Sequence, residues 1–146
     1  MNSPRRVITG LDSDGRSSIL IDGPSSMVIW STAETLADNS STEDAGGGTF
    51  RFPASGTLFV FSDFAPGGGS PMHATDTIDY IVVVSGEVVF ITETGETRLR
   101  AGDVLVDRGS MHAWRNDSDK PCRIMNVLCP AHPAGKGATI SGEVHT

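Results

Sequence analysis

Short apolar runs alternate along the chain with clusters of Gly, Pro, Asp and Ser, and the runs are too short for helices of ordinary length. Residues 7–9 and 18–21 flank the turn Asp12-Ser13-Asp14-Gly15 and read as a hairpin. Residues 27–31 follow as a third short strand. Thr57–Phe64 (TLFVFSDF) has apolar residues at both parities, as a strand covered on both faces does. Leu58, Val60 and Ser62 share one face of it; Phe59, Phe61 and Asp63 share the other. Residues 65–71 read as a Gly-rich turn. Residues 78–84 and Glu87–Thr92 read as a hairpin around Ser85-Gly86, and further strands fall at 97–100, 104–106, 111–115 and 122–128.

Between these runs, residues 33–51 (AETLADNSSTEDAGGGTFR) are polar and acidic. A surface insertion is preferred there over a lid, with residues 33–37 suited to a helical turn. Tyr80, Val82 and Val84 form an apolar row on the face opposite Asp79, Ile81 and Val83. That row needs a cover, which the N-terminal strands or a partner subunit would supply. The pattern as a whole predicts an all-β jelly-roll barrel of two facing antiparallel sheets with an N-terminal β-ribbon. One domain is expected over residues 1–146: N-terminal strands to 32, core barrel over 57–128, and a tail over 129–146.

Composition narrows the function. A net charge of −7 disfavours nucleic acid and anionic membrane surfaces as partners, and no apolar run reaches the ~20 residues of a membrane span. The start MNSPRRVITG lacks the apolar core of a signal peptide, so a cytoplasmic location is expected. Cys122 and Cys129 read as two buried thiols, not a disulfide. His132 and His145 fall in the tail and are not expected to be ligands.

The candidate chemistry lies between Gly67 and Asn116. His73, Thr75 and Asp79 share parity and project to one face of an extended chain; His112, Trp114 and Asn116 do the same. An inward Asp is costly unless it is paired, metal-bound or protonated, which makes Asp79 the most informative residue. Asn116 reads as a turn-stabilising residue. Phe59, Phe61, Met111 and Trp114 are candidates for an apolar substrate pocket, and Asn126, in parity with Ile124 and Leu128, for an amide within it.

Gly67, His73, Thr75, Asp79 and Gly86 resemble the first motif of the cupin family, with Thr in place of its second His and Asp in place of its Glu. Gly102, Gly109, His112 and Asn116 resemble the second motif. There the interval from Gly102 to Gly109 is one residue short, and Asp107-Arg108 stand where the motif has Pro and the residue after it. The resemblance implies a small single-domain cupin, a double-stranded β-helix. The usual cupin site holds a metal with three His and one Glu. Carried over, that leaves His73, Asp79 and His112 as ligands for a divalent ion, iron or zinc, with Thr75 contributing a hydroxyl. A metal-free site is the alternative. In that case His73 or His112 acts as general base, Asp79 orients or charges its partner imidazole, and Thr75 positions a substrate oxygen.

The expected function is that of an enzyme on a small, fairly apolar organic substrate, a lyase/dehydratase or an isomerase/cyclase. A two-His-one-carboxylate iron dioxygenase and a non-catalytic small-molecule-binding barrel are the alternatives. A homodimer is expected, with residues 7–21 of one copy covering the apolar row of the other.

Overall fold

The computed structural model describes residues 1–135 and 137–138. Eleven strands are formed: β1 (Arg5–Leu11), β2 (Ser17–Pro24), β3 (Val28–Thr32), β4 (Thr57–Phe64), β5 (Gly69–His73), β6 (Thr77–Ser85), β7 (Glu87–Thr92), β8 (Glu96–Arg100), β9 (Val104–Asp107), β10 (His112–Arg115) and β11 (Cys122–Pro130). They build a four-stranded sheet in the order β5-β10-β7-β8, a five-stranded sheet in the order β3-β4-β11-β6-β9, and the ribbon β1-β2. All pairings are antiparallel. The all-β, double-stranded β-helix expectation therefore holds.

Alternation works as the pattern dictates. On β6 the inward set Thr77, Asp79, Ile81 and Val83 is buried, and Tyr80 and Val84 are exposed. One apolar cluster joins the two sheets through Ile81, Val83, Val88, Phe90, Leu99, Trp114, Cys122 and Ile124. A second, smaller cluster is made by Val28, Leu58, Val60 and Leu128, with Phe50 and Phe52 packed against it. Each such side chain taken from water contributes about 1.5–3 kcal/mol, which is what clamps one sheet onto the other.

Three expectations are corrected. Residues 69–71, read as part of a turn, begin strand β5, because the glycine-rich backbone lies close against β10 and pairs with it. The runs on either side of Gly86 are not a hairpin: β6 pairs with β9 and β11, while β7 pairs with β8 and β10. Gly86 is instead the corner where the chain changes sheets. Its φ is 73°, and a Cβ there would meet the Pro121 carbonyl oxygen at 2.4 Å. Finally, residues 33–37 form no helical turn.

The 33–51 segment is tied to the outside of the barrel. Ser31 N–H donates to the Ala45 carbonyl (3.0 Å) and Gly47 N–H to the Val28 carbonyl (2.8 Å). Arg6 of the ribbon holds Asp44 (Nη1 to Oδ1 2.8 Å) and donates to the Ile29 carbonyl at 3.1 Å. No helix among the described residues is long and apolar enough to cross a membrane.

Candidate active site

Pairing of β5 with β10 sets His73 directly opposite His112 in register, and their ring centroids lie 4.4 Å apart. In each ring Nδ1 is engaged by a backbone carbonyl two residues earlier: Pro71 for His73 and Ser110 for His112, both at 2.8 Å. These contacts place the hydrogen on Nδ1 and leave Nε2 of each ring without a hydrogen bond among the described residues. Phe90, opposite Trp114 on β7, stacks on His112 (5.2 Å, 21°) and fixes the ring's second face.

Asp107, at the end of β9, is the carboxylate that faces His112 and favours its charged form. Its Oδ2 lies 3.0 Å from His112 Nδ1, with both side chains almost fully buried. Its Oδ1 accepts hydrogen bonds from Ser110 Oγ–H (2.8 Å) and Ser110 N–H (3.1 Å). Asp79 had been expected in that role. It faces the same interior but is committed elsewhere: Thr77 Oγ1–H donates to its Oδ1 at 2.6 Å, and Asn126 Nδ2 lies 3.4 Å from its Oδ2. Because Thr77 donates to Asp79, the Thr75 hydroxyl is the donor in its 2.8 Å contact with Thr77. A line of hydroxyls, Thr75 to Thr77 to Asp79, thus runs along the buried wall. Among the described residues Asn126 Oδ1 is buried there without a partner.

Burial dominates the electrostatics. It pushes the Asp79 carboxyl above the ordinary range, against the hydrogen bonds from Thr77 and Asn126, and the Asp107 charge adds to the rise. Burial also pushes the His73 imidazole down, more than the Pro71 carbonyl restores. For His112 burial acts in the same downward direction, but Asp107 and the Ser110 carbonyl together outweigh it and hold the imidazole above its usual value. Asp107 is correspondingly held below the usual range: burial opposes this, and its bonds to His112 and Ser110 overcome it. Two touching histidines are therefore pushed apart, His112 up and His73 down.

The three-ligand set read from the sequence is not assembled. Among the described residues no group of three or more His, Cys, Asp and Glu side chains is arranged to hold a metal ion. The physical reason is that Asp79 is turned to Thr77 and Asn126, and Asp107 is spent on His112. Two imidazole Nε2 atoms remain, one donor short of a facial triad.

The remaining candidates divide. Trp114 is buried beside the site, edge-on to His112 (6.2 Å) and stacked on Phe64 (5.5 Å). Met111 is partly buried in the turn before β10. Asn126 is inward, as its parity required. Phe59 and Phe61 are corrected: they lie on the outer face of the five-stranded sheet. Phe59 is 38% exposed and lines an outer cleft of about 570 Å³ with Val7, Trp30 and Met125. Phe61 lies under the Arg123 guanidinium, 4.6 Å from its ring centroid. A second cleft, of about 700 Å³, separates the ribbon from residues 33–45. Neither cleft is lined by His73, Asp79, Asp107 or His112; the carboxylates of the second are those of Glu34, Asp38, Glu43 and Asp44. Asn116 is a turn residue, donating to the carbonyls of Phe64 (2.9 Å) and Lys120 (2.8 Å). Both thiols are free, and burial pushes Cys122 up to about 11. His132 is exposed, and His145 lies outside the described residues.

Thr77, Phe90, Asp107 and Ser110 were missed. Thr77 shares parity with Thr75 and Asp79, so the signal for it was present. The Asp107-Arg108-Gly109-Ser110-Met111-His112 run carried the signal for the rest of the histidine's support. Gly109 (φ 69°) turns the chain so tightly that a Cβ would meet the Thr75 carbonyl oxygen at 3.0 Å.

Comparison with known proteins gives three findings. The cupin domain family model matches residues 60–128. A cupin-domain-containing oxidoreductase of Neurospora crassa, srdD, is 33% identical over 94% of this chain and 81% of its own length. Phomopsin biosynthesis cluster protein D of Diaporthe leptostromiformis is 47% identical over 64% of this chain. The chain spans about half the length of that relative and of the phomopsin cluster protein C' it also matches. Among solved structures, a conserved protein with a double-stranded β-helix domain from Klebsiella pneumoniae superposes with a TM-score of 0.50. It is 22% identical over 63% of this chain and 85% of its own, a likeness of fold.

Proposed function

The chain belongs to the cupin family, and from that premise we propose that it is an enzyme of small-molecule metabolism working by general acid–base catalysis. The favoured reactions are dehydration (lyase) and isomerisation or cyclisation of an oxygenated, largely apolar metabolite. The observation that carries this reading is the His73–His112 pair, with both Nδ1 atoms anchored and both Nε2 atoms left for a ligand. The opposite displacement of their proton affinities supports distinct roles: His73 neutral, as base, and His112 charged, as acid. In a dehydration, His73 Nε2 takes the proton from the carbon and His112 Nε2–H protonates the departing hydroxyl. Water leaves, and exchange with solvent restores both rings. The Thr75 oxygen, whose hydrogen goes to Thr77, is suited to accept a hydrogen bond from a substrate hydroxyl. Relatives named for a phomopsin biosynthesis cluster fit a part in biosynthesis.

A second reading is favoured by relatives named as cupin-domain-containing oxidoreductases, srdD and virC among them. In it His73 and His112 would hold iron, with Asp79 as third ligand only if released from Thr77 and Asn126, and the iron would supply oxygen chemistry. Zinc on the same donors would instead assist the lyase. The test is a panel of β-hydroxy carbonyl compounds in D₂O, offered to wild type, His73→Gln and His112→Gln, with and without chelator. The acid–base reading expects solvent deuterium in substrate or product, loss of water in the dehydration case, and a drop of about 10²–10⁴ in each variant. Turnover that needs iron and dioxygen replaces it with the second reading. Binding with no turnover across the panel makes the barrel a binder.

A further inference from the structure

We propose that Asp107 is a positioning residue for His112. Held by the turn from β9 to β10, it fixes the imidazole so that Nε2 is the nitrogen presented to substrate.

Two acceptors converge on the same ring nitrogen. The Ser110 carbonyl oxygen and Asp107 Oδ2 lie 2.8 and 3.0 Å from His112 Nδ1. A bare lone pair on Nδ1 would face two oxygens, so Nδ1 carries the hydrogen and Nε2 is the atom left for chemistry. The carboxylate cannot swing away. Ser110 N–H and Oγ–H both hold its Oδ1, and Gly109 packs the turn against the Thr75 carbonyl. Nor can the ring turn over freely, with Phe90 stacked on it and His73 against it. Asp107 is itself only 3% exposed, with its oxygens occupied by Ser110 and His112, so it acts through His112 and not on a substrate. The plain alternative is a residue that merely caps its own turn through Ser110. The two differ in one observable, the tautomer of His112.

The experiment is ¹⁵N NMR of the full chain labelled at histidine, at a pH where the imidazole is neutral, with His112→Gln used to assign the signal. Wild type is expected to show His112 protonated at Nδ1 and bare at Nε2. In Asp107→Asn the Ser110 donors keep Oδ1 on their side, so the amide NH₂ faces Nδ1, donor against donor. At least half of the Nδ1–H population is then expected to shift to the Nε2–H form. Ser110→Ala, which keeps the backbone carbonyl, is expected to retain the wild-type tautomer. If Asp107→Asn does not fold, Asp107→Ala takes its place; the Ser110 carbonyl is then the one acceptor left at Nδ1, and a smaller rise in the Nε2–H form is expected. Nε2–H in wild type overturns the proposal, as does an unchanged tautomer in the folded Asp107 variant.

The kinetic consequence rests on the acid–base reading. With a substrate from the panel, Asp107→Asn should lower kcat about 10²-fold or more and leave KM within about threefold. An unchanged kcat beside a shifted tautomer would sink that reading of the site and leave the positioning of His112 intact.

Discussion

Thr77→Val is the most informative single change, because it is nearly isosteric and removes one hydroxyl from the buried line Thr75, Thr77 and Asp79. Thr77 is 2% exposed. Its hydroxyl gives a hydrogen to Asp79 and takes one from Thr75, so valine severs two bonds without opening a cavity. A neutral hydrogen bond contributes about 0.5–1.5 kcal/mol and one to a charged group about 1.5–3. The expected loss is therefore about 1–3 kcal/mol while Asp79 is protonated and about 2–4.5 once it ionises. The pH dependence follows from the direction of the shift. The Asp79 folded pKa stands above its unfolded value, so the stability it contributes is complete below the unfolded value and is lost as pH rises through the folded one. Thr77 moderates that rise, so in the valine variant the folded pKa climbs further and the loss grows and extends to higher pH. Urea unfolding of wild type, Thr77→Val and Thr77→Ser from pH 4 to pH 8 reads this directly. Serine should behave as wild type. A Val–wild-type difference that is flat across the range, or under about 0.5 kcal/mol throughout, would refute the hydroxyl line as the support of Asp79.

Three further outcomes are expected. Asp79→Asn removes a buried charge and keeps an acceptor for Thr77, so at pH 8 its stability should match or exceed wild type by up to about 1 kcal/mol; a loss beyond about 2 kcal/mol in urea unfolding would mean that the ionised carboxylate is integral to the fold. Gly109→Ala forces a Cβ into a positive-φ turn against the Thr75 carbonyl and should cost about 1–3 kcal/mol, read as a fall of several degrees in Tm. Tyr80 and Val106 are register partners on adjacent strands and are 49% and 53% exposed, with Val104 beside them at 74%. We expect this patch to be covered by a second copy, so sedimentation should give a dimer for wild type and a monomer for a Tyr80→Lys/Val106→Lys double variant. A monomeric wild type at micromolar concentration would remove that expectation.

Strand positions were legible because period-two alternation is a local property. Thr57–Phe64 and Glu87–Thr92 agree to the residue, since each is an apolar run cut off by glycine, proline or a charged turn. Sheet membership was not legible. A glycine between two strands serves a hairpin and a corner equally well, and Gly86 proved to be the corner because Pro121 approaches it from β11's side of the barrel. The inward histidines followed from parity, but parity did not say which face of Thr57–Phe64 was inward, so Phe59 and Phe61 were assigned to the pocket and lie outside it. Asp107 escaped because it occupies the place where the second motif has proline, and a departure from a motif reads as a loss. In the folded chain the departure supplies the carboxylate beside His112. The partner of Asp79 escaped for a different reason: which of two neighbouring carboxylates reaches an imidazole depends on cross-strand register, here Asp79 opposite Asp107, which no local pattern states.

The polar wall is divided between the two sheets. His73 and His112 stand on β5 and β10; Thr77, Asp79, Asp107 and Asn126 stand on β6, β9 and β11. The β9–β10 turn holds Asp107 to His112, but the rest of the set is aligned only by the apolar cluster that joins the two sheets. A slight parting of the sheets, well short of losing any strand, would draw Asp79 and Asn126 away from His73 and His112. On gradual heating or in mild denaturant, function should therefore fail while the circular dichroism spectrum is still that of the native barrel, and thermal inactivation should run ahead of melting.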